Sequence, residues 1–143
     1  MKKILIIEDQ EPIVTLLKAI LGADGGYELL VARDGGEAQA LAKTERPELI
    51  IVGTLAHAED SYGVCRCLRA NGEAIPCKII MIGNWTDETS GQKAIEAGAD
   101  EFVDRPWPAL LMRTVKAVLL PQGQEYPQPV PSSPAGTASL ARL

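Results

Sequence analysis

The sequence predicts an α/β domain in which strand and helix alternate around a parallel sheet. Short aliphatic runs recur at Lys3 to Ile7, Tyr27 to Ala32, Glu48 to Val52, Lys78 to Ile82 and Glu101 to Asp104. Between them lie segments whose apolar residues return at three- and four-residue spacing, the period of a one-faced helix. The central run, Glu48 to Val52, lacks polar alternation, as expected of a strand with helices on both faces.

Each element has a local reason. Pro12 sits where a first-turn proline is tolerated, and Ile13, Leu16, Leu17, Ile20 and Leu21 share one helical face, with Gly22 expected as the stop. Asp34 with Glu37 resembles a capping box that opens a helix through about Thr44. Ser61 to Ala70 reads as a third helix, and Asp87 to Ala97 as a fourth, ended by Gly98. Pro108 opens a fifth, in which Leu111, Val115, Val118 and Leu119 share a face until Pro121 prevents continuation. Residues 1–120 therefore make one domain. From 121 to 143 the composition turns to Pro, Gln, Ser, Gly and Ala, which predicts a disordered tail or linker that cannot bury enough apolar surface to order itself. Pro131-Ser-Ser-Pro134 within it fits a PxxP pattern, with a solvated tail as the plainer reading.

Composition narrows the function. At 143 residues and 46% hydrophobic content the chain suits a single core. A net charge of −5 and the absence of a basic run argue against nucleic-acid binding, which needs cations to displace phosphate counterions. The apolar start ends at Glu8 and Asp9, too early for a signal peptide, and no run spans a bilayer, so the expected location is the cytoplasm, with no membrane partner. Cys65, Cys67 and Cys77 form no CxxC pair, and His57 is the single histidine, so free thiols are expected in place of a zinc site.

In a parallel sheet the ligand crevice lies beyond the carboxyl ends of the strands. Glu8 and Asp9, Gly53, Gly83 with Asn84, and Arg105 with Pro106 should meet there. With these residues the chain resembles the receiver domain of bacterial response regulators over about residues 1 to 120, and the intervals between Asp9, Gly53, Gly83 and Arg105 fit that family. Asp60-Ser-Tyr-Gly-Val-Cys-Arg-Cys-Leu-Arg69 and Ala97-Gly-Ala-Asp-Glu-Phe-Val-Asp-Arg-Pro106 strengthen the likeness. The resemblance implies a flavodoxin-like, doubly wound sheet of five strands in the order 2-1-3-4-5 with five helices. It also implies an acidic pair for Mg²⁺ at Glu8 and Asp9, a phosphoacceptor aspartate at the place of Gly53, a hydroxyl at the place of Gly83, a lysine at the place of Arg105 before Pro106, and an aromatic switch at Phe102.

The departures matter most. Glycine at 53 offers neither a nucleophilic carboxylate nor a third acidic Mg²⁺ ligand, and glycine at 83 offers no hydroxyl to a phosphoryl oxygen. Arg105 keeps the charge as a planar fork suited to a carboxylate, and pairing with Asp9 or Glu8 would occupy the space of the missing aspartate. Glu8 and Asp9 are thus read either as a weak Mg²⁺ pair or as partners of Arg105, with no other cofactor expected. Glu59, Asp60 and Asp104 are poor substitutes for the acceptor, and His57 is expected as an exposed loop residue. Trp85 and Trp107 flank the same edge, either as interaction surface or as local caps of the core. The reading is a phosphorylation-independent receiver-like module, not an enzyme, which works by protein contact. Its partners would be a kinase, an output protein or a second copy, met on the face from about Thr86 to Leu120. The alternatives are a phosphorelay receiver with a non-standard acceptor, and a small-ligand-binding protein that uses room left by Gly53 and Gly83.

Overall fold

The computed structural model describes residues 1–53, 60–70, 77–83, 90–104 and 107–119. Strands β1 (Lys2–Ile7), β2 (Tyr27–Ala32), β3 (Leu49–Val52), β4 (Lys78–Ile82) and β5 (Glu101–Val103) alternate with helices α1 (Glu11–Asp24), α2 (Gly35–Glu45), α3 (Ser61–Ala70), α4 (Ser90–Glu96) and α5 (Pro108–Val118). The strands form one parallel sheet in the order β2-β1-β3-β4-β5, the flavodoxin-like arrangement expected from the sequence. His57, Glu59, Asn84, Trp85, Arg105, Pro106, the expected start of the fourth helix at Asp87 and the tail lie outside the described residues.

The period of two along each strand divides the core into two layers. Leu5, Ile7, Ile50, Val52, Ile79 and Met81 pack with Ala38 and Ala42 of α2, Val64, Cys65 and Leu68 of α3, and Ala94 of α4. Ile4, Ile6, Leu49, Ile51, Ile80, Ile82 and Val103 pack with Leu17, Ile20 and Leu21 of α1 and with Leu111, Val115 and Val118 of α5. Every residue of β3 is fully buried, which is why its sequence shows no polar alternation. Each such aliphatic side chain contributes about 1.5–3 kcal/mol by leaving water.

The ends of the elements follow local chemistry, with one correction. Gly22 does not stop α1; the helix runs through it to Asp24, and Gly25, at φ 75°, ends it by donating its N–H to the Gly22 carbonyl. A lone glycine inside a helix costs only about 1 kcal/mol, whereas the left-handed exit is a conformation that glycine adopts freely. At α2 the Asp34 carboxylate accepts the Glu37 N–H at 2.8 Å, as the capping box predicts. The Glu37 carboxylate in turn accepts the N–H of Arg33, one residue before the cap. Gly98, at φ 113°, closes the segment after α4 as expected.

Two polar ties fasten helices to their neighbours, one to segments flanking the sheet and one to another helix. Arg69, near the end of α3, donates Nε to the Gly98 carbonyl at 2.7 Å and Nη1 to the Cys77 carbonyl at 3.0 Å, and pairs through Nη2 with Asp100. The same Asp100 oxygen accepts the Ile79 N–H at 2.8 Å. On the opposite layer Lys116 of α5 lies 3.2 Å from Asp24 at the end of α1. Hydrogen bonding from Tyr27, assisted by Lys116, holds the Asp24 carboxyl below its ordinary range.

Candidate functional site

The parallel register brings the carboxyl ends of the inner strands level. Ile7 lies opposite Val52, and Val52 opposite Met81. The ladder continues one residue past the strands: Glu8 N–H donates to the Ala32 carbonyl at 3.0 Å, Gly53 N–H to Ile7 at 2.8 Å and Gly83 N–H to Val103 at 2.8 Å. Glu8, Gly53 and Gly83 therefore occupy the edge assigned to them from the sequence, with Asp9 half-buried next to Glu8.

What the sequence did not reveal is where the Glu8 side chain goes. Glu8 is fully buried, and its carboxylate lies over Gly53. A β-carbon built on Gly53 would overlap Glu8 Oε1, lie 3.0 Å from its Cδ and 3.2 Å from the Ile7 carbonyl oxygen. The other oxygen, Oε2, accepts the Gln10 N–H at 3.1 Å, which turns the carboxylate inward at the start of α1. Thus the volume next to the backbone of Gly53 holds the Glu8 carboxylate; Arg105, expected from the sequence to pair with Glu8 or Asp9, lies outside the described residues. The Gly53 carbonyl is also engaged, accepting the Ser61 hydroxyl at 3.0 Å across to α3.

The second glycine is filled in the same way. A β-carbon on Gly83 would lie 2.6 Å from Phe102 Cζ and 3.0 Å from its Cε1, closer than real β-carbons come to a ring. Phe102, on β5 opposite Met81, packs against the core layer of α2, α3 and α4. At both glycines the space a β-carbon would take is occupied by a neighbour.

The oxygen donors suit a divalent cation poorly. Mg²⁺ demands near-octahedral oxygen ligands at about 2.0–2.1 Å and gives up water reluctantly. Here one carboxylate of the acidic pair is buried and bonded to the backbone, and glycine supplies no third acid. Among the described residues no three His, Cys, Asp or Glu side chains converge as a metal site would require.

The remaining candidates are dispersed. Asp60 is exposed at the start of α3, where its Oδ1 accepts the Tyr62 N–H at 3.1 Å and its Oδ2 lies 3.6 Å from Arg66. Asp104 is exposed just past β5. Trp107 precedes α5 and is 55% exposed, which favours surface over core cap. Cys65 and Cys77 are buried and Cys67 exposed, so the two-residue spacing on α3 sends the first pair of thiols in different directions. Burial pushes the Cys65 thiol up to about 11 and raises that of Cys77.

Residues 4–116 match the family model of the response regulator receiver domain. Among curated relatives, the alkaline phosphatase synthesis transcriptional regulatory protein PhoP of Bacillus subtilis is 37% identical over 119 residues, which cover 82% of this chain and 48% of that protein. A probable transcriptional regulator, ycf27, of Porphyridium aerugineum is 34% identical over the same shares of the two chains. The chain spans about half the length of the curated relatives it matches. Among solved structures, the signal receiver domain of a signal transduction histidine kinase from Syntrophus aciditrophicus shares 30% identity at a TM-score of 0.75, covering 90% of this chain and 98% of that one. The chemotaxis protein CheY4 of Vibrio cholerae shares 28% identity at a TM-score of 0.74, over 83% and 99% of the respective chains.

Proposed function

We propose that this chain, which belongs to the response regulator receiver domain family of two-component signal transduction, works without aspartyl phosphorylation and signals through protein contact. The observation that carries this reading is the pairing of Gly53 with Glu8. The strand end that would present a phosphoacceptor has no side chain, and the carboxylate that overlies it is buried. A phosphoacceptor must reach an incoming phosphorus atom with a free oxygen. Glu8 is closed off from solvent, and Asp60 is spent on the first turn of α3 and on Arg66.

On this reading the module is not an enzyme, needs no cofactor and has no use for nucleic acid or membrane. No helix among the described residues is long and apolar enough to cross a bilayer. The cytoplasm, where two-component partners meet, is its proposed location. The partner is a signalling protein, either a kinase or an output protein, or a second copy of the chain. The face from about Thr86 to Leu120 is the proposed docking surface, because Ile95 of α4, Trp107 and Leu110 of α5 present large apolar groups there at 51%, 55% and 39% exposure. Residues 1–120 form the module and 121–143 a tail or linker.

The test is incubation with a small-molecule phosphodonor and Mg²⁺, read by intact mass, together with amide NMR before and after beryllofluoride. No phosphorylated species and no shifts around Gly53, Gly83 and Phe102 are expected. A saturable Mg²⁺-dependent shift, or a phosphorylated chain mapped to an acidic residue, would replace this reading with a receiver that uses a non-standard acceptor.

A further inference from the structure

We infer that Gly83 and Gly91 form a two-sided slot that holds the Phe102 ring inward in one position, so the surface formed by β5 and α4 keeps a single shape. The inference stands apart from the reading of Gly53: the slot would hold the ring even in a chain phosphorylated elsewhere.

The geometry is specific to two glycines on different elements. Gly83 follows β4 and faces the Cε1 and Cζ edge of the ring; a β-carbon there would lie 2.6 Å from Cζ. Gly91 belongs to the first turn of α4 and faces the opposite edge, where a β-carbon would lie 3.2 Å from Cδ2, 3.7 Å from Cε2 and 3.8 Å from Cγ. The slot walls are themselves anchored. The Gly83 N–H is bonded to Val103, and the β4–β5 register sets Phe102 opposite Met81. A side chain at 83 and the ring in its present place exclude one another, because real β-carbons do not approach within 3.0 Å of a ring atom. With hydrogen alone at both positions the ring fits between them and, partly buried, packs against the core layer under α4. Turning the ring outward would expose more of its apolar area and give up its packing against both glycines and the core layer, contacts that close-packed interiors favour.

Phe102 is the single phenylalanine of the chain, so ring-¹³C phenylalanine reports on one side chain without altering it. We expect one set of ring signals without microsecond-to-millisecond exchange, and nuclear Overhauser contacts from the ring to the α-protons of Gly83 and Gly91. Gly83→Ala should move the ring to a new set of signals that carries the larger share of intensity and lacks those contacts. Gly91→Ala, where the overlap is milder, should shift the original set without replacing it. Two exchanging sets in the unaltered chain, or ring signals unchanged by Gly83→Ala, would overturn the slot. If Gly83→Ala fails to fold by circular dichroism, Gly91→Ala decides, since ring signals identical to those of the parent would contradict a two-sided slot. None of these readouts involves phosphate or Mg²⁺, so the slot and the reading of Gly53 can fail separately.

Discussion

A single hydrogen at position 53 changes what its neighbour can do. With no β-carbon on Gly53, Glu8 lies across the end of β3; with one, Glu8 would have to leave. Gly53→Ala should therefore lower stability by about 1–3 kcal/mol, the usual cost of overpacking a filled interior. The cost should shrink markedly in a Glu8→Ala background, and a double-mutant cycle by denaturant unfolding measures that coupling. Equal costs in both backgrounds would mean that the two residues do not compete for space. The thiols provide a second check at this scale. Reagents attack the thiolate, which burial disfavours at Cys65 and Cys77. One thiol per native chain, Cys67, should react rapidly at pH 8, and the other two only after denaturation, as counted by mass after alkylation. Sequence alone placed Glu8, Gly53 and Gly83 on one edge because strand ends in a parallel sheet are aligned by pairing. It did not disclose the inward turn of Glu8, since a rotamer depends on which neighbouring volumes are left empty. Gly91 was invisible for the same reason: nothing in a helix-opening glycine announces a ring from another element.

Among the elements, α3 is fastened to the sheet by one side chain more than by any other polar contact described. Arg69 satisfies two carbonyls and a carboxylate on two different segments, the residue before β4 and the connection from α4 to β5. Arg69→Ala should cost about 2–4 kcal/mol, because it leaves buried or half-buried acceptors without their donor as well as removing a charge-assisted bond. Asp100→Asn should cost less, since the amide oxygen still accepts from Ile79 and Arg69 keeps both carbonyls. Thermal unfolding of the two variants orders them, and a larger loss in Asp100→Asn would refute this division. The helix periods and strand compositions were legible from sequence because the two-layer core demands them at almost every position. The end of α1 was misread by three residues, because propensity marks every glycine as a stop while only the tertiary position of β2 selects which one takes the left-handed exit. The short strand β5 was placed closely, since Gly98 before it and Pro108 after it leave little room for error.

At the scale of the whole molecule, both core layers among the described residues run as far as Leu119, and the Pro-, Ser- and Gly-rich composition of 121–143 offers little apolar surface to bury. A chain ending at residue 120 should therefore unfold at the same temperature and with the same denaturant slope as the full chain. A fall in either would show that the Pro-rich segment contributes to the folded state. The overlap at Gly53 also bears on how such a module could change over generations. A codon change that put aspartate at 53 would meet the Glu8 carboxylate already lodged there, so the new residue would arrive into a clash and beside a like charge. Residue 8 would have to yield first, at a time when yielding brings no benefit. The end of β3 is in that sense a ratchet: a carboxylate there requires two substitutions in a disfavoured order.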